Sequence, residues 1–113
     1  MITVEKIMDA LPVKVISGDN FSQPVTGGYV SDLLSNVMGQ AVTGNIWITM
    51  QGHQNVVAVA LLSGLAAVII TGGVQPDDAM VNKANTEGVV VLLTELSSYE
   101  IAGRMYQLGI TSQ

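Results

Sequence analysis

Cysteine is absent from this chain, so disulfides, thiolate metal sites and cysteine nucleophiles are all excluded. Positive charge is scarce: Lys6, Lys14, Lys83 and Arg104 stand against nine acidic residues, for a net charge of −5. No basic cluster exists to neutralise a phosphate backbone, which argues against a nucleic-acid partner. The longest apolar run, 56–70, is broken by Ser63-Gly64 and falls short of the ~20 residues that span a bilayer, so no membrane partner is expected either. Met1 to Leu11 carries Glu5 and Asp9 and reads as an amphipathic helix, not a secretory leader; a cytoplasmic location is the expectation. Phosphate-loop, nucleophile-elbow and dinucleotide fingerprints are all missing. His53 is the sole histidine, and the one adjacent carboxylate pair, Asp77-Asp78, suits a helix start better than a metal. No metal, cofactor or catalytic residue is expected.

What is present is hydrophobic matter in a small package. The 113 residues are 49% hydrophobic and only 12% charged, roughly half the ~25% charge of an ordinary globular domain. A chain of this length buries a core without disulfides or metal, and a single domain over residues 1–113 is expected. So few charges on so small a body leave much surface neutral or apolar. That surface either pairs with a second copy in a twofold homodimer, the favoured reading, or is covered by Ser, Thr, Asn, Gln and Gly.

Periodicity places the elements. Thr3 caps a helix over 4–10, which Pro12 ends; strands are expected over 13–16 and 25–30. Ser31 is read as the cap of a short helix with Leu33, Leu34, Val37 and Met38 on one face and Gly39 as its stop. Strands at 46–49, 66–71 and 89–94 then alternate with helices. The first of these helices is capped by Asn55, the second opens with Pro76 in its first turn and ends at Gly88, and the third starts at a capping box, Ser97 to Glu100. Gly103 in that last helix either lets a backbone approach or faces solvent. The alternation predicts an α/β fold, a layered and largely parallel sheet with helices on both faces.

Three expected strands end in threonine, Thr49, Thr71 and Thr94, and Thr26 lies upstream at a similar spacing. Parallel strands gather such ends on one edge, where ligands of open α/β sheets bind and helix N-termini offer amide donors. A site for a small anionic ligand such as a nucleotide is expected there, formed by Thr49, Gln51, His53, Asn55, Thr71, Gly72 and Gly73, with Thr26, Gly27 and Gly28 either joining it or contacting a partner subunit. The competing reading makes these glycines and threonines ordinary turn residues. Trp47, between Ile46 and Ile48, is expected in the core or an interface.

Several segments together resemble the DRTGG domain family. They are 25–35 (VTGGYVSDLLS), 46–49 (IWIT), the His53-Gln54-Asn55 step, 64–73 (GLAAVIITGG) and 96–103 (LSSYEIAG). The family occurs between CBS motifs of regulated pyrophosphatases, within some phosphate acetyltransferases, and is similar to the N-terminal domain of HPr kinase/phosphorylase. The resemblance implies a regulatory, often dimerising module with no activity of its own, the kinase chemistry of that last relative residing in a separate phosphate-loop domain. The Asp-Arg step of the family name has no counterpart before Thr71-Gly72-Gly73, so an arginine contact there is not carried over. The favoured expectation is a non-catalytic ligand-sensing or interaction module; the alternatives are a partner-docking protein without ligand, and a small enzyme using His53.

Overall fold

The computed structural model describes residues 1–112; Gln113, the last residue of the expected domain, lies outside them. In chain order the elements are α1 (Val4–Ala10), β1 (Lys14–Ser17), β2 (Gly27–Val30), α2 (Leu34–Gln40), β3 (Asn45–Thr49), α3 (Gln54–Leu62), β4 (Ala67–Ile70), α4 (Asp78–Glu87), β5 (Val91–Leu93) and α5 (Ser98–Gln107). The strands form one sheet in the order β1-β5-β4-β3-β2. β2 to β5 run parallel to one another, and β1 lies antiparallel against β5 at the far edge. The fold is α/β, as expected, with one strand reversed.

Successive strand residues point to opposite faces, and the chain divides its apolar residues accordingly. Ile46, Ile48, Ala67, Ile69 and Leu92 face one side, where Val4 and Ile7 of α1 and Ile101 and Met105 of α5 cover them. Trp47, Val68, Ile70 and Val91 face the other, under Val37 of α2, Val56, Val57 and Ala60 of α3, and Met80 and Ala84 of α4. Every residue of β3 and β4 is buried, which is why their sequence shows no alternation. Each large aliphatic side chain enclosed this way contributes about 1.5–3 kcal/mol. Trp47 belongs to this core; its indole N–H donates to the Ser31 carbonyl at 2.8 Å.

The helix ends obey local chemistry, with informative exceptions. Thr3 caps α1 by accepting from the Lys6 amide, and Ser97 caps α5 by accepting from Glu100. The other half of the expected capping box is missing, because the Glu100 carboxylate pairs with Arg104 at 3.0 Å one turn on. Asn55 is not the cap of α3: the His53 ring takes that role, its Nδ1 accepting from the Asn55 amide at 3.1 Å. Pro76 stands outside α4, whose cap is Asp77. α2 departs most from expectation. It starts after Leu33, has no side-chain cap and runs through Gly39, while Leu33 and Met38 are exposed and only Val37 is fully buried. Gly103 faces open space, which settles its role as a solvent-facing position.

Candidate functional site

The parallel strands bring Thr49, Thr71 and Thr94 to one rim, all three buried. Thr71 donates its amide to the Thr49 carbonyl at 3.0 Å, and Thr94 donates to Ile70 at 3.0 Å, so the ladder continues into the loops. A repeated turn follows. Thr49 Oγ1 accepts from the Gln51 amide and Thr94 Oγ1 from the Leu96 amide, each at 3.2 Å and two residues on. On β2 the counterpart is Ser31, whose Oγ accepts from the Leu33 amide at 3.1 Å.

Thr26, Gly27 and Gly28 are therefore not part of the rim. Gly27 pairs with Asn45 at the start of the parallel ladder, and Thr26 Oγ1 donates to the Thr43 carbonyl at 2.8 Å. These three residues belong to the opposite end of the strands. Their triplet matches Thr71-Gly72-Gly73 in letters, but the latter leaves a strand while the former enters one, Thr26 preceding β2 and Gly27-Gly28 opening it.

On the rim itself the loops are tied to each other. Asp32 Oδ1 accepts from Thr49 Oγ1 at 2.7 Å and from the Met50 amide at 2.8 Å, and the Gln51 side-chain amide donates to the Asp32 carbonyl. The Asp77 amide donates to the Gly52 carbonyl at 2.8 Å. A Cβ on Gly52 would come within 2.8 Å of the Pro76 backbone, so only glycine permits that approach. Gly72 and Gly73, both at φ +71°, donate to Leu96 and Thr94 carbonyls at 2.7 and 3.0 Å. Thr71 and Ser98 hydroxyls share a bond of 2.6 Å.

These internal bonds decide which donors remain for a ligand. The amides of Gly72 and Gly73 are engaged within the protein, as are those of Met50, Gln51 and Asn55. The amides of Gly52, His53 and Gln54 have no partner among the described residues, and neither has His53 Nε2. Thus the turn reading fits Thr71-Gly72-Gly73, while open donors gather at the start of α3. Asp32, Asp77, Asp78 and Glu95 make the rim's loops acidic; Lys14, brought there by β1, is their one cation among the described residues. No group of acidic and histidine side chains there is arranged to hold a metal ion, among the described residues. Asp32 is a rim residue that threonine spacing does not reveal; its signal in the sequence is the polar pair Ser31-Asp32 directly after a strand.

A search of curated proteins found no match. Among solved structures, the chain superposes on the CBS and DRTGG domains of the regulatory region of Clostridium perfringens pyrophosphatase, determined with the activator diadenosine tetraphosphate. The TM-score is 0.72 at 16% identity, covering 93% of this chain and 46% of the other. The chain thus spans about half of that regulatory region, and the likeness at this identity is one of fold. A family model matches residues 6–108, nearly the whole chain. With that match, the protein belongs to the DRTGG domain family.

Proposed function

We propose that this protein is a non-catalytic regulatory module, homodimeric, which senses a small anionic ligand such as a nucleotide at the strand-end rim. The observation that carries the ligand half is the set of open donors at Gly52, His53 and Gln54, beside Thr49, Gln51 and Asn55. They sit at a helix N-terminus, where the dipole adds to the attraction. Regulation fits the family and the structural neighbour, whose regulatory region holds a dinucleotide activator. That region includes CBS domains as well, so the nucleotide class, not that molecule, is what carries over. Self-association fits the apolar side chains left exposed, Leu33, Leu62, Tyr99 and Tyr106 foremost. Catalysis is disfavoured because His53 Nδ1 is occupied as a cap and, among the described residues, no carboxylate accepts from its ring.

The test is a thermal-shift panel of nucleotides run beside a solution mass measurement. A ligand at ~100 times its Kd raises stability by ~2.7 kcal/mol, which moves Tm by more than about 5 °C in a domain of this size. His53→Asn is the right variant, since asparagine still caps a helix while the imidazole is lost. The shift should shrink in it. Silence across the panel removes the ligand half; a monomeric mass removes the dimer.

A further inference from the structure

Going beyond that reading, we propose that the cavity at the other end of the rim binds a small zwitterion of the free amino-acid type. The cavity measures about 400 Å³, within the range of small-ligand pockets. Antiparallel pairing sets Lys14 opposite Leu93, so the beginning of β1 meets the ends of the parallel strands and delivers an ammonium to them. Glu95, the residue after Thr94, supplies the opposite charge. Its Oε1 lies 2.7 Å from where a Cβ on Gly73 would stand, so the missing side chain at Gly73 makes the room that the carboxylate occupies. Val13 and Leu93 line the cavity with apolar surface, and Gln75 adds an amide that has no hydrogen bond among the described residues.

Lys14 and Glu95 line the same cavity without forming an ion pair; among the described residues, the salt bridge present is Arg104–Glu100. A lone anion drawn to Lys14 is repelled by Glu95, and a lone cation drawn to Glu95 is repelled by Lys14. Attraction and repulsion are then of similar size, and little net affinity results. A molecule carrying both charges gains at both ends. Its carboxylate goes to Lys14 and its ammonium to Glu95, while a side chain rests on Val13 and Leu93. This selects against the nucleotides expected at the His53 end, so the two sites are separable.

The test uses the twenty free L-amino acids at about 10 mM in a thermal-shift assay, roughly ten times a Kd of about 1 mM. At least one should raise Tm by about 5 °C. Its N-acetyl and carboxamide derivatives, each lacking one charge, should fail. Lys14→Met and Glu95→Gln, both at exposed positions, should each lose more than half of the shift while unliganded Tm stays near that of the parent. His53→Asn should leave it intact, which keeps this outcome apart from the nucleotide test. No shift from any amino acid, or a shift unchanged in both charge variants, overturns the proposal.

Discussion

One carboxylate, Asp32, binds the loop after β2 to the loop after β3 through Thr49 Oγ1 and the Met50 amide. Removing it takes the acceptor from the hydroxyl proton of Thr49, a fully buried residue, and from the Met50 amide. Asp32→Ala should therefore lower unfolding stability by about 1–2 kcal/mol, read as a reduced urea midpoint at unchanged slope. Asp32→Asn keeps an acceptor and should lose less. At this scale the sequence was only partly readable. Recurrence of threonine found Thr49, Thr71 and Thr94, because each ends a buried strand. It misplaced Thr26, since letter spacing does not say whether a residue enters or leaves a strand; Ser31, making the same turn, stood unnoticed in that role. Nor does spacing reveal that the Gly72 and Gly73 amides are already engaged by carbonyls more than twenty residues away in the chain.

Helices offer a sharper set of expectations. At Gly39 in α2 and Gly103 in α5 an added methyl group would meet nothing within 4 Å among the described residues, and neither residue has a positive φ. Replacing either by alanine should stabilise the protein by about 0.5–1 kcal/mol, the backbone entropy of glycine being recovered without a clash. Differential scanning calorimetry would register each as a rise in Tm. Ser97→Ala, by contrast, should cost about 1 kcal/mol, because it removes the acceptor for the Glu100 amide. α1 and α5 were legible because their caps and apolar faces are written within a few residues. α2 was not. It covers the sheet near the edge strand β2, where the apolar floor narrows, so only Val37 of its apolar residues is fully enclosed. Whether Leu33 and Met38 find neighbours depends on that floor and leaves no mark in their own segment.

Across the molecule, the strand ladder joins residues distant in sequence, and Trp47 sits fully buried in β3, an interior strand of the sheet. It is the only tryptophan, so its fluorescence reports on the sheet as a whole. Unfolding followed by that emission and by far-ultraviolet circular dichroism should give coincident transitions, as two-state behaviour requires. A separate early loss of tryptophan burial would mean that the sheet opens in parts. The parallel body of the sheet was readable from strand–helix alternation, which leaves few other topologies. The reversal of β1 was not, since the direction of a four-residue strand is decided by where its partner lies.

That partner lies late in the chain. Ser17, at the end of β1, donates its hydroxyl to the Val89 carbonyl, 72 positions further on. At about 5–20 residues per second, a ribosome takes roughly 4–15 s to deliver the second after the first. Throughout that interval the strand carrying Lys14 has no ladder to join, and the nascent chain holds it in reserve. Translation speed thus sets when the last edge is laid, and slow codons between the two would lengthen the exposure of a half-built sheet.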